Sequence, residues 1–225
     1  MKKQGFIIFF FLLLLVNIIG GETGNALLQY ISKPLLMPVL ALYFLSCANA
    51  VKSDLKKWIL LALFFSWAGD VLLIFQDRMT DFFLFGLSAF LLAHVFYILL
   101  FHNIRSKEGI KGNFMLLVPV AAYYGGLIML LSPHLGDMRM PVIIYGLVIS
   151  FMLVLALHMP YSRNKKAGQL LAAGAALFVL SDSLLAINKF YQAFSFANIA
   201  VMLTYGIAQY LIVKGACLYI RKAKS

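Results

Sequence analysis

Eight acidic residues occur in this 225-residue chain, and six of them lie in polar connecting segments or at the expected ends of helices. Asp70 and Asp182 alone fall inside long apolar runs. Each stands about six residues from the expected outer end of its run, roughly 9 Å at the helical rise. An ionised aspartate at that depth is costly and should face a bundle interior or a wet cavity. A packing hydrogen bond between helices would account for one such acid. Two at equal depth in matching segments favour a working site. Neighbouring carboxyl groups do not both ionise easily. Such a pair therefore offers an acid and a base at one pH, the arrangement used by reactions that pass through oxocarbenium-like states.

Lys33, in Ser32-Lys33-Pro34, reads as standing at the outer mouth of the second apolar run. Its bland role is that of an interfacial lysine with its stem in lipid. The outer side is otherwise poor in basic residues, so Lys33 is also a candidate to hold a lipid phosphate as a point charge or to pair with a carboxylate. Tyr145, Ser66, Ser181, Asn198 and Tyr205 are candidates for lining the same space, with His94 and Gln209 deeper. Each alone is more often an interhelical hydrogen-bonding group than a reagent. The four histidines show no HxxxH or HExxH spacing, so no metal site is expected. No glycine-rich phosphate loop or GxSxG elbow occurs. Cys47 and Cys217 lie in separate apolar runs and read as small buried residues.

The elements that must position these groups follow from composition. Apolar residues make up 63% of the chain and charged residues 12%, against about 25% charged in soluble domains. The bilayer must therefore act as solvent. Apolar runs of spanning length occur at about 5–20, 33–51, 58–76, 81–102, 113–132, 139–159, 168–188 and 194–219. The expectation is an all-α polytopic bundle of about eight spans over residues 1–225, one transmembrane domain with short loops. The first run, behind Met1-Lys2-Lys3, also has the look of a signal peptide; without a clear cleavage site, it is read as a retained helix. The net charge of +11 does not form a nucleic-acid patch, because the basic residues sit in small clusters between runs. With the N-terminus inside, fourteen of the nineteen basic residues fall on the cytoplasmic side, among them Lys2, Lys52, Lys56, Lys57, Arg105, Arg163 and Lys224. Lys33, Arg78, Arg139 and Lys189 fall outside and Lys214 within the last run. This bias predicts both termini in the cytoplasm, and the short loops with a basic N-terminus point to a bacterial inner membrane.

An internal repeat is also visible. Gly69-Asp70-Val71-Leu72-Leu73 precedes Ser181-Asp182-Ser183-Leu184-Leu185 by 112 residues, and the same offset relates Lys33 to Tyr145. Both acids lie in spans that run outward, which implies a parallel four-plus-four duplication about an axis along the membrane normal.

Several segments carry a resemblance to a known family. They are Lys33-Pro34-Leu35-Leu36-Met37-Pro38, Phe65-Ser66-Trp67-Ala68-Gly69-Asp70-Val71-Leu72-Leu73 and Gly86-Leu87-Ser88-Ala89-Phe90-Leu91-Leu92-Ala93-His94. The Tyr145 span follows, then Gly174–Asp182 and Tyr205-Gly206-Ile207-Ala208-Gln209. In this order, from about residue 30 to 215, the sequence resembles the YhhN-like membrane proteins that include lysoplasmalogenases. The resemblance implies hydrolysis of the vinyl ether bond of a lysophospholipid, giving a fatty aldehyde and a glycerophospho-ethanolamine or glycerophosphocholine. Asp70 and Asp182 would be the catalytic pair, with Lys33 and Tyr145 holding headgroup or glycerol, membrane lipids around the bundle and no cofactor. The alternatives are a proton-coupled small-molecule or lipid transporter, a hydrolase of another lysolipid, and a scaffold. A transporter should carry polar groups on to the cytoplasmic side, where the spans here are mostly apolar. A scaffold gives no reason to bury two acids.

Overall fold

Eight helices form because every backbone polar group in a bilayer must be satisfied within the chain. The computed structural model describes residues 3–49, 53–76 and 80–222. Of the basic residues counted above, Lys2, Lys52, Arg78 and Lys224 lie outside the described residues. The helices are α1 Lys3–Glu22, α2 Ala26–Ala48, α3 Leu55–Ile74, α4 Thr80–Glu108, α5 Leu117–Leu131, α6 Arg139–Ala156, α7 Lys165–Ala186 and α8 Ala197–Lys222. Among the described residues there is no strand. All eight segments are long and apolar enough to cross a membrane, and the protein is an integral membrane protein.

Local signals set the helix ends. Asn25 caps α2 by accepting the Leu28 N–H at 3.3 Å, and Asn164 caps α7 by accepting the Ala167 N–H at 3.3 Å. Because its cap is Asn25, α2 begins well before the apolar run does, and Lys33 lies seven residues inside it, about 10 Å along its axis. This corrects the expected position of Lys33 at the mouth of the span. Pro34 and Pro38 sit within α2, each removing one backbone donor, a defect that packed neighbours make tolerable. The α3 helix ends at Ile74, where the Phe75 N–H turns back to the Leu72 carbonyl and the Gln76 N–H to that of Leu73. The α-helical part of α7 ends at Ala186 and continues as one π-helical turn, Ile187–Tyr191. Asp70 and Asp182 each stand four residues before these α-helical ends, about 6 Å rather than the expected 9 Å. Their depths still match.

The packings come in matched pairs. α3 lies along α4 as α7 lies along α8, α2 on α3 as α6 on α7, and α4 against α6 as α8 against α2. Tyr97 and Gln209, themselves 112 residues apart, hydrogen-bond to one another. A residue bonded to its own repeat equivalent marks the two-fold axis, by the logic of an isologous contact. One pair is unequal. α1 packs on α8 as well as on α2, whereas α5 makes no comparable packing on α4.

Small residues bring α7 and α8 close. A Cβ on Gly174 would stand 2.9 Å from the Ala208 carbonyl oxygen, so backbone meets backbone there. At one end of the bundle an apolar plug, including Ile59, Leu100, Met152, Met159, Ile212 and Ile220, is almost wholly buried. Cys47 and Cys217 are buried and free. His158, at the same end, accepts the Asn113 N–H at 3.0 Å and faces the Val154 carbonyl at 2.7 Å, a loop-tying role.

Candidate active site

At the other end of the bundle the odd-numbered helices finish and the even-numbered ones begin. Their ends enclose a cavity of about 810 Å³, counted out to its opening. Lys33 comes from α2, Asp70 from α3, Tyr145 from α6, Ser181 and Asp182 from α7, and Tyr205 from α8. Six of the residues singled out in the sequence thus meet in one space. The rest of its wall is mainly apolar, with Phe83, Leu87, Phe90, Phe190 and Met202. A largely apolar cavity with a few convergent polar groups is the usual form of a small-molecule site.

The two acids have different surroundings. Asp70 is 2% exposed, and its Oδ2 accepts the Tyr205 hydroxyl at 2.7 Å. Lys33 lies within electrostatic reach of it, although beyond the 4.0 Å of a contact ion pair. Asp182 has a side chain 17% exposed to the cavity, and it accepts the Tyr145 hydroxyl. No lysine or arginine faces it among the described residues. Its other neighbour is His94, whose Nε2 stands 3.8 Å from Oδ2, too far for a hydrogen bond. The His94 ring is fully buried and lies edge-to-face with Tyr145 and Phe178, and neither nitrogen closes a hydrogen bond.

Behind Asp70 runs a second polar layer. Tyr97 donates to the Gln209 carbonyl oxygen, and the Gln209 amide donates to Ser66 at 2.9 Å. All three side chains are wholly buried. Ser66 and Gln209 therefore back the cavity rather than line it. The network stops at Tyr97; on its far side are Leu100 and Phe101, both fully buried.

Asn198 and Ser181 also differ from expectation. Asn198 is not in the cavity: its amide donates to the Ile18 carbonyl and to Glu22 of α1, both at 3.2 Å. It lies in the first turn of α8, where α1 covers it. Ser181 lines the cavity, but its hydroxyl is engaged with the Val201 carbonyl at 2.9 Å, tying α7 to α8. Two groups were not singled out. Gln76, just past the end of α3, lines the cavity with its Oε1 buried and without a hydrogen-bond partner. Lys189, on the π turn, sits with Nζ 4.3 Å from the Phe83 ring centroid at the cavity's rim. Polar residues just beyond matching span ends would have been the signal for both.

The fold and cavity define a class: polytopic helical membrane proteins with a carboxylate pair buried beneath one face of the bundle. The YhhN family matches residues 28–216, and the chain belongs to that family. It is 31% identical over 202 residues to a lysoplasmalogenase of Mycobacterium bovis, covering 87% of this chain and 73% of that protein. It is 37% identical over 153 residues to lysoplasmalogenase TMEM86B of Sus scrofa, covering 67% of this chain and 59% of that protein. Human TMEM86B is 35% identical over 156 residues, 69% of this chain and 61% of its own. No solved structure matches the chain.

Proposed function

We propose that the protein is a lysoplasmalogenase-type hydrolase that cleaves the vinyl ether bond of a single-chain ether phospholipid. The observation that carries this reading is the unequal pair: two carboxyl groups on one apolar cavity, one facing a lysine and the other facing none. The names of its relatives supply the substrate class.

Asp70, beside Lys33 and hydrogen-bonded by Tyr205, acts as the carboxylate, and Asp182 as the carboxylic acid. Asp182 delivers its proton to the alkene carbon distal to the ether oxygen. The carbon–carbon double bond becomes a single bond, and the cation is shared by the adjacent carbon and the ether oxygen. Asp70 stabilises that cation and takes a proton from the water that attacks it. The resulting hemiacetal collapses to a fatty aldehyde and the glycerol hydroxyl, and the proton gained by Asp70 balances the one lost by Asp182. This sequence needs no cofactor. Tyr145 positions Asp182, Lys33 faces Asp70 from within the cavity, and Lys189 at the rim supplies positive charge for the phosphate at the mouth.

The excess of basic residues on the connections opposite the cavity supports cytoplasmic termini and a cavity open to the outer leaflet of the bacterial inner membrane. A proton-coupled carrier would need a polar route past the buried layer of Leu100, Phe101 and Met152, which offers none. Purified protein is to be incubated with lysoplasmalogen and with the matching ester lysophospholipid, with aldehyde as the readout. Aldehyde from the vinyl ether alone, lost in Asp70→Asn and in Asp182→Asn, supports the reading. Full activity in both variants sinks the carboxylate mechanism, and proton-coupled flux without product replaces the hydrolase with a transporter.

A further inference from the structure

A second, shallower groove, about 440 Å³ counted out to its opening, lies between α5 and the α6–α7 pair. It shares Val142, Tyr145, Asp182 and Ala186 with the first, so the two meet at the acid that faces no lysine. Its remaining walls are mainly apolar, with Leu127, Ile128, Leu131, Ile149 and Val179. The tyrosine hydroxyls along it are already engaged. Tyr123 donates to Ser183 at 2.8 Å and Tyr124 to the Ile143 carbonyl at 3.0 Å. These bonds hold α5 across the groove from both sides and leave an apolar trough beneath it.

The looseness of α5 is specific to this half of the molecule. Its repeat counterpart α1 buries Phe10, Leu13, Leu14, Asn17 and Gly20 against its neighbours. α5 buries only Val120 and Leu131, and beside Gly125 and Gly126 a Cβ would meet no atom within 4 Å. A water-filled trough of this lining would be unfavourable inside a bilayer, and a hydrocarbon chain would satisfy it. The groove also runs in a useful direction. On α6 it extends from Val142 past Tyr145 to Ser150, about 12 Å at the helical rise, towards the middle of the bundle.

We infer that this groove is the hydrocarbon subsite, which takes the single chain of the lipid and delivers its first carbons to Asp182. The inference rests on the reaction proposed above for the same site. The charge distribution agrees, since Lys33 and Lys189 are contributed by α2 and the far end of α7 rather than by the groove. The polar head then points to the mouth while the chain runs between helices, and α5 forms the lateral wall by which the lipid enters from the bilayer.

The test uses full-length protein in detergent or nanodiscs and a lysophospholipid carrying a diazirine near the end of its chain. After illumination, peptides bearing adducts are mapped by mass spectrometry. Adducts concentrated on α5 and on the α6 and α7 residues facing it support the inference, and adducts spread evenly around the lipid-facing perimeter overturn it. Ser150→Phe narrows the deep end of the groove. It should lower kcat/KM for long-chain vinyl ether lysolipids at least tenfold more than for short-chain ones, the scale on which apolar pockets discriminate chain length. Leu147→Phe, on the lipid-exposed side of the same helix, should not. Equal losses for both chain lengths in Ser150→Phe would overturn the subsite. Groove adducts without aldehyde from any substrate would uphold the subsite and sink only the proposed reaction.

Discussion

The two aspartates are chemically identical, yet their replacement by asparagine should cost the fold very different amounts. Asp70→Asn removes the negative charge that Lys33 faces, while the amide oxygen still accepts from Tyr205. At a separation beyond 4.0 Å and an effective dielectric of about 20, Coulomb's law allows at most about 4 kcal/mol. Lys33 is part-exposed to the cavity, and the screening this brings reduces the figure to about 2 kcal/mol. For a chain of this length that corresponds to roughly 4–8 °C in Tm. Asp182→Asn leaves no cation behind and should shift Tm by much less. Adding Lys33→Met to Asp70→Asn removes the orphaned charge and should recover most of the lost stability, without recovering turnover. The assay is thermal unfolding of the unsubstituted protein and the three purified variants in one detergent, followed by intrinsic tryptophan fluorescence. Equal Tm values for the two asparagine variants, or no recovery in the double variant, would refute the assignment of Lys33 to Asp70.

Tyr205→Phe removes a hydroxyl donor from the charged Asp70, worth about 1.5–3 kcal/mol, and Tyr145→Phe removes one from the neutral Asp182, worth about 0.5–1.5 kcal/mol. The first should lower kcat/KM by roughly ten- to a hundredfold and the second by roughly two- to tenfold in the aldehyde assay, and unchanged kinetics would remove the tyrosines from the site. Asp182→Asn abolishes proton delivery and should cost about 10²–10⁴ in kcat while the protein still purifies as a folded species. Gly168→Ala would place a Cβ 1.9 Å from the Met159 carbonyl oxygen. Backbone must then move, so a loss of about 1–3 kcal/mol or more is expected, read as a lower Tm. Asn198→Ala frees α1 from α8 at two hydrogen bonds. It should lower Tm at a cost of about 1 kcal/mol per bond and leave kcat unchanged, as a contact between helices requires.

Much of the site was legible before any coordinate. Asp70 and Asp182 announced themselves because an acid in an apolar run is rare, and their matching depth came from the 112-residue offset. The same offset linked Lys33 to Tyr145, and all four line one cavity. Lys33 lies deeper than its hydropathy suggests, because hydropathy marks where apolar residues begin and Asn25 starts α2 earlier. Asn198 ties α8 to α1, and a polar residue near a span end gives no hint in the sequence of the helix that covers it. Gln76 and Lys189 are not legible in the sequence, because residues beyond a span end read as loop.

What the sequence determined by itself is the set of spans and the presence of two acids at one depth. The bilayer acts on each run and on each charge separately, so these features are local and need no partner to be read. What only the tertiary structure decided is what surrounds each acid. These helices are apolar on nearly every side, so no periodicity shows which face turns inward. Tyr205 reaches Asp70 from 135 residues away and Tyr145 reaches Asp182 from 37. Lys33 joins only one of the two. That inequality arises from how α2, α6 and α8 pack around the pair, and it is the feature from which the proposed chemistry follows.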